Sequence, residues 1–193
     1  MVWDERWPAV ARTWGLGVGL LVGVCLAIAV AVVGDVVVEL PSLRDQVRII
    51  HVFPGLAAVV LPFRLLDRTP DLTVLSTAPP ERVFVLRLVG ALIATVPLIL
   101  ALRAAGWSSA AALVVPAFVG LGALACVTLG SWYWAPMLFV MVLWLQWGSR
   151  DWPYTAPDSL ILLDLLVVAG GGAAYVIGES QRLRRRQRSR TTR

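Results

Sequence analysis

Few side chains in this sequence could perform catalysis or hold a metal ion. The chain has one histidine, His51, and two cysteines, Cys25 and Cys126, which both lie inside apolar runs. All 17 basic residues are arginine, since the sequence contains no lysine. This excludes a P-loop, whose lysine contacts phosphate, and Schiff-base chemistry. One histidine and two separated cysteines do not form a metal cluster or a disulfide framework, so we expect no metal site and an interfacial, non-ligating His51.

The serine and aspartate residues also lack the spacing that an intramembrane serine protease or a paired-carboxylate enzyme requires. A rhomboid-like protease needs a Gly-x-Ser-Gly serine and a histidine on a later span, but Ser131 lacks the trailing glycine and His51 lies upstream. No Asp-x-x-x-Asp pair falls within a long apolar run. The sequence therefore predicts no catalytic residues and a protein that is not an enzyme.

Asp164 is a carboxylate about five residues inside the last apolar run. A charge at mid-membrane costs about 2.5–3.5 kcal/mol on insertion scales, and less near an edge. One interpretation is a polar residue on a substrate path. The other is an aspartate near the interface that is hydrated or paired with an outer arginine such as Arg150.

The composition indicates that membrane-spanning helices position these residues. The 193 residues are 59% hydrophobic and 15% charged, with a mean hydropathy of +0.79. A soluble domain has about 45–50% apolar and about 25% charged residues, so this composition indicates a polytopic membrane protein. Six apolar runs approach the length of about 20 residues that a membrane-crossing helix needs. They are 15–38, 49–66, 83–102, 108–129, 131–147 and 159–178, and Pro54 and Pro62 predict a kink or break in the second.

The predicted fold is an all-α membrane protein with six transmembrane helices and an N-terminal interfacial amphipathic helix. Residues 1–14 form that helix, since Trp3, Trp7, Val10 and Trp14 share one face; the alternative is a frayed end. Residues 15–178 form the transmembrane domain, and 179–193 form a basic cytoplasmic tail. With both termini inside, 13 arginines fall in inside segments and 4 in outside segments, which favours this orientation.

A stripe of small residues follows the first span. Gly15, Gly19, Gly23, Ala27 and Ala31 recur at every fourth position. Such a stripe permits close helix packing in lipid, either at a dimer interface or against another helix of the same chain. Gly122, Cys126 and Gly130 form a shorter stripe, for which we favour packing within the chain.

The loop between the second and third spans is the longest inside segment. A short helix could begin at Asp71, after Pro70, and must end before Pro79. Exposed Leu72 and Leu75 would suit docking in a groove of another protein. The alternative is a connector that faces lipid.

This acidic-Leu-x-x-Leu-Ser/Thr-x-x-Pro segment, together with the six-span order, resembles the membrane subunits of ABC-2 type exporters, in particular small permease-type proteins of high-GC bacteria. The resemblance implies that Asp71, Leu72, Leu75, Ser76, Thr77 and Pro79 couple the membrane part to a separate ATPase, which binds ATP and Mg. It also implies a homodimer or a heterodimer with another permease subunit, in the bacterial inner membrane. Only residues 148–158 are available where this family has re-entrant helices.

Three functions are weighed from these features. The first is the transmembrane subunit of an ATP-driven exporter of an amphipathic or lipid-like substrate. The second is a non-transporting accessory or assembly subunit. The third, an ATP-independent carrier, is disfavoured because no chain of ionisable residues runs through the spans. The seven arginines of the tail predict contact with anionic lipids, and we expect no nucleic-acid binding.

Overall fold

The computed structural model describes residues 16–39, 46–66, 79–147 and 152–191. In chain order the elements are α1 (Leu16–Val33), β1 (Val37–Glu39), β2 (Gln46–Arg48), α2 (Val52–Val60), α3 (Pro80–Ile93), α4 (Val96–Ala104), α5 (Ser109–Ala112), α6 (Val114–Leu129), α7 (Trp134–Trp147), α8 (Trp152–Thr155) and α9 (Ser159–Thr191). Short 3-10 turns lie at Ile49–His51, Pro62–Arg64 and Gly130–Trp132. The predicted N-terminal helix, residues 1–14, lies outside the described residues.

The described chain is mostly helical and has apolar helices compatible with a membrane, as predicted. Three helical stretches are long and apolar enough to cross a bilayer: Glu81–Ala104, Ser109–Trp132 and Ser159–Arg185. The other predicted spans correspond to shorter apolar helices at Gly17–Val33, Ile49–Val60 and Trp134–Gln146. The prediction of six full-length spans is therefore supported for three of them.

A β-hairpin replaces the end of the predicted first span, so the prediction of a purely α-helical chain is wrong there. β1 pairs antiparallel with β2, with Val38 opposite Val47. The helix stops at Val33, and a Cβ at Gly34 would lie 2.4 Å from the Val30 carbonyl oxygen, so only glycine fits there. The β-branched Val36, Val37 and Val38 then favour extended backbone.

Proline positions explain the remaining breaks. α2 ends at Val60, and Pro62 begins a 3-10 turn because it has no N–H for a helical hydrogen bond. Pro97 separates α3 from α4 at Ala94 and Thr95, where the Thr95 hydroxyl donates to the Leu92 carbonyl oxygen at 2.7 Å. α9 is one helix of 33 residues, which continues from the predicted transmembrane domain into the predicted tail.

α6 is the central helix of the bundle. It packs most extensively on α9 and also on α2 and α7, while α1 packs mainly on α4. The largest fully buried side chains include Trp107, Tyr175 and Phe84. Large apolar side chains point outward from the peripheral helices, as expected for surfaces in contact with lipid: Leu21, Val32, Leu100, Phe139, Leu162 and Leu166.

The bundle has two ends, which we name by their contents. The hairpin end contains the β-hairpin and the turn after α4, where the Ser108 N–H donates to the Pro153 carbonyl oxygen at 2.8 Å. The tail end contains the start of α3 and the last turns of α9, joined by an ion pair between Glu81 and Arg184. α2, α6 and α9 run from the hairpin end to the tail end, and α7 and the α3–α4 pair run back.

Candidate functional site

The segment Ile49–Leu66 is a short helix flanked by 3-10 turns and buried at the centre of the bundle. Its interruptions expose main-chain carbonyl groups, and side chains of other helices bind them. Trp144 Nε1 donates to the His51 carbonyl oxygen at 2.9 Å, and the Tyr133 hydroxyl donates to that of Val59 at 2.7 Å. Interrupted backbone at membrane depth is tolerated where protein groups satisfy it in this way. We call residues 49–66 the interrupted segment.

The tail end of the interrupted segment is held in the same manner. The Tyr175 hydroxyl of α9 donates to the Leu65 carbonyl oxygen at 2.8 Å, and Cys126 Sγ lies 3.6 Å from the Pro62 carbonyl oxygen. A Cβ at Gly122 would lie 2.3 Å from Pro62 Cγ, so α6 approaches the proline closely. The shorter small-residue stripe therefore packs within the chain at Gly122, as favoured from the sequence.

The stripe on α1 also makes a contact within the chain. A Cβ at Gly23 would lie 2.0 Å from the Ala94 carbonyl oxygen, so α1 meets the break between α3 and α4 at this glycine. Gly19 is buried, whereas Ala27 is half-buried and Ala31 is exposed. Of the two alternatives, packing within the chain is what the structure gives at Gly23. Gly15 lies outside the described residues.

His51 lies at the hairpin end, where its side chain is buried within the protein and is 2% exposed. Its ring lies 5.4 Å from that of Trp107, and Trp107 and Phe118 both pack on Trp144. The Nδ1 atom of His51 and the Nε1 atom of Trp107 have no hydrogen-bond partner among the described residues. The short-range sequence pattern does not reveal this burial, because Trp107 and Trp144 reach His51 only through the fold.

A cavity of about 400 Å³ lies at the tail end. Five parts of the chain line it: the interrupted segment, the start of α3, Cys126 near the end of α6, the turn after α6 and residues 179–183 of α9. Its apolar lining is formed by Phe63, Leu65, Leu66, Phe84 and Leu183. Its polar lining includes Ser131, Glu179 and Arg182. The cavity is therefore amphipathic.

The charged groups of this cavity form an ion pair. Arg182 Nη1 lies 2.7 Å from Glu179 Oε1, and Arg182 also donates to the Val127 carbonyl oxygen. The Glu179 side chain is 16% exposed and that of Arg182 is 47% exposed. Both charges thus face a partly enclosed space, where electrostatic interactions are stronger than in bulk water.

Arg87 packs on Phe84, one of the residues that line the cavity. Its guanidinium lies 5.6 Å from the centre of the Phe84 ring, in cation–π geometry. Phe84 in turn meets Tyr175 edge to face at 5.8 Å. Arg87 is a charged residue within the stretch Glu81–Ala104, and this position in an apolar helix is the signal that could have marked it from the sequence.

The predicted coupling residues are only partly described. Asp71, Leu72, Leu75, Ser76 and Thr77 lie outside the described residues, whereas Pro79 has extended backbone and precedes α3. Pro79 therefore ends the loop at the tail end of the bundle, near the cavity wall formed by Phe84.

Asp164 lies near the start of α9 and is partly exposed. Its neighbours Leu162, Leu163, Leu165 and Leu166 are 52–66% exposed, so this part of α9 faces outward. The suggested partner Arg150 lies outside the described residues. Asp164 is not among the residues that line the tail-end cavity.

The described ranges contain no group of three or more His, Cys, Asp or Glu side chains placed to hold a metal ion. Comparison with protein-family models, with curated proteins and with solved structures gives no significant match. The function is therefore argued from the residues and their geometry.

Proposed function

We propose that this protein is the transmembrane subunit of an ATP-driven exporter of the ABC-2 type. It moves an amphipathic or lipid-like molecule and works with a separate ATPase subunit, which binds ATP and Mg. The observation that carries this proposal is the connection of the loop to the cavity. Residues 67–78 link Leu66 to the start of α3, which contains Phe84, and both Leu66 and Phe84 line the cavity.

A displacement of this loop would be transmitted to buried residues through direct contacts. The Leu65 carbonyl oxygen accepts a hydrogen bond from Tyr175, whose ring also packs on Phe84. Closure of an ATPase against residues 71–78 would therefore act on the interrupted segment, α3 and α9 together. A rearrangement of packed helices of this kind is the basis of alternating access.

In this proposal the chain crosses the bacterial inner membrane six times, with both termini and the tail end in the cytoplasm. The arginines of the described residues support this orientation. Arg82, Arg87, Arg182, Arg184 and Arg185 lie toward the tail end, whereas Arg48 and Arg103 lie toward the hairpin end. An excess of arginine on one side marks the cytoplasmic face.

A second chain completes the transporter as a homodimer or as a heterodimer with another permease subunit. Because Gly23 packs on Ala94, the dimer surface uses other parts of the exposed apolar surface.

The alternative is a non-transporting accessory or assembly subunit. The direct backbone contact of α6 with α9 at Gly120 and Gly171 favours it, since these helices leave no space for a substrate between them there.

Purification in a gentle detergent from the native host tests the two functions. An exporter subunit is expected to co-purify with an ATPase that has a Walker A sequence, in a fixed ratio. When the purified chain is reconstituted with that ATPase, substrate should stimulate ATP hydrolysis. Fixed co-purification with a second membrane protein, without an ATPase, contradicts the exporter proposal.

A further inference from the structure

We propose that the tail-end cavity binds the headgroup of a membrane phospholipid that carries both a phosphate and a primary ammonium group, as in phosphatidylethanolamine. This binding does not depend on an exporter function, because the site is formed by this chain alone. Three features of the cavity favour this ligand: its depth in the membrane, its charges and its mixed polar and apolar lining.

The cavity lies at the depth of lipid headgroups. Its charged residues, Glu179 and Arg182, follow directly on the apolar residues 165–178 of α9. The end of a membrane-crossing stretch lies in the interfacial region, where headgroup phosphates are found. The cavity volume of about 400 Å³ falls within the range of about 300–1,000 Å³ typical of small-molecule sites.

The charges of the cavity match a zwitterion. Arg182 presents guanidinium donors suited to phosphate, and Ser131 lines the same cavity. Glu179 presents a carboxylate that accepts hydrogen bonds from an ammonium group, and it lies 2.7 Å from the arginine. The two side chains partly neutralise each other, so a headgroup with both charges is better matched than one with a net negative charge.

The apolar lining suits the remainder of the lipid. Phe63, Leu66 and Phe84 line the same cavity as Glu179 and Arg182. Phe63 is 45% exposed, so the apolar lining continues toward the outer surface of the bundle. The glycerol and the first methylene groups of the acyl chains can therefore remain in apolar contact while the headgroup meets Glu179 and Arg182.

The test compares lipids on the full-length chain by native mass spectrometry after delipidation and titration. We expect phosphatidylethanolamine to bind about tenfold more tightly than phosphatidylcholine, because N-methylation removes the donors for Glu179. We also expect it to bind more tightly than phosphatidylglycerol, which has no ammonium. Equal binding of all three lipids, or a preference for phosphatidylglycerol, would overturn the proposal; the latter result would indicate an anionic lipid held by the arginines of α9.

Two variants locate the binding. Glu179→Gln should abolish the preference for phosphatidylethanolamine over phosphatidylcholine, and Arg182→Gln should weaken both lipids about tenfold. Glu81→Gln is the matched control, since it removes an exposed ion pair with Arg184 and lies outside the cavity lining. If Glu179→Gln keeps the wild-type preference, the site is wrong. The wild-type lipid comparison decides the proposal where a variant fails to fold, and loss of ATPase association leaves that comparison unaffected.

Discussion

The main chains of Gly120 and Gly171 touch, and this contact joins the two most extensively packed helices of the bundle. A Cβ at Gly171 would lie 2.1 Å from the Gly120 carbonyl oxygen, and a Cβ at Gly120 would lie 2.8 Å from the Val167 carbonyl oxygen. Helices in lipid gain stability from such close packing, because apolar burial alone does not favour protein over lipid.

The first prediction concerns this contact. Gly171→Ala forces α6 and α9 apart and should lower the free energy of unfolding in detergent by about 1–3 kcal/mol. Gly170→Ala is the matched control, because nothing lies within 4 Å of a Cβ at Gly170. Denaturant titration followed by tryptophan fluorescence measures both. Equal stability of the two variants would contradict the contact.

The stripe on α1 gives the second prediction. Gly23→Ala should destabilise the single chain, because its Cβ meets the Ala94 carbonyl oxygen, whereas Gly17→Ala has nothing within 4 Å and should not. The mass of the complex on gentle detergent chromatography should stay the same for both variants. A change in that mass with Gly23→Ala, without loss of thermal stability, would place Gly23 at a subunit interface.

The third prediction tests the carbonyl groups of the interrupted segment. Tyr175→Phe removes the hydroxyl that binds the Leu65 carbonyl oxygen and leaves that buried group unsatisfied, at a cost of about 1–3 kcal/mol in the free energy of unfolding. Tyr133→Phe should act similarly at Val59. Tyr154→Phe serves as the control, since its hydroxyl accepts an exposed 3.4 Å contact from Arg48. Thermal unfolding in detergent compares the three; equal melting temperatures would show that these bonds add no stability.

Coupling to an ATPase is the subject of the fourth prediction. Leu72→Asp combined with Leu75→Asp places unpaired charges in an apolar groove and should reduce ATPase co-purification at least about tenfold, with normal membrane amount. Thr73→Asp tests the added charge alone and should have little effect. Asp71→Ala should weaken docking less, since loss of a helix cap costs about 0.5–2 kcal/mol. Unchanged yield of the ATPase with the double variant would refute the coupling segment.

The fifth prediction concerns orientation. In a cysteine-free background, Glu39→Cys in the hairpin should react with an impermeant maleimide in intact cells. Val74→Cys should react only after the membrane is permeabilised, because the proposed topology places position 74 on the arginine-rich, cytoplasmic side. Strong labelling of position 74 in intact cells would reverse the proposed topology.

The sequence predicts those parts of the fold that depend on local chemistry. Apolar run length identifies the long helices, and the missing N–H of Pro62 predicts the break in the second run. The hairpin is not predicted from the sequence, because Val36, Val37 and Val38 continue an apolar run and hydropathy alone does not distinguish a strand from a helix.

The candidate site is harder to predict, because it depends on contacts between distant parts of the chain. Small residues at Gly23 indicate close packing without naming the partner, Ala94. Glu179 and Arg182 look like the start of a solvated tail, whereas in the fold they line one cavity together with Phe63, Phe84 and Ser131. Three adjacent glycines, 170–172, within an apolar run were the available signal for the contact with α6.

The unbroken length of α9 has a mechanical consequence. From Gly171 to Thr191 the helix rises about 30 Å at 1.5 Å per residue, without a proline or a turn. α9 therefore connects its contact with α6 at Gly171 to the tail end as one continuous helix, and Tyr175, Arg182 and Arg184 bind other elements along the way. A tilt of α9 by about 10° about Gly171 would move its far end by about 5 Å and would strain all three contacts, so a probe attached at the end of α9 would report such a tilt as a distance change.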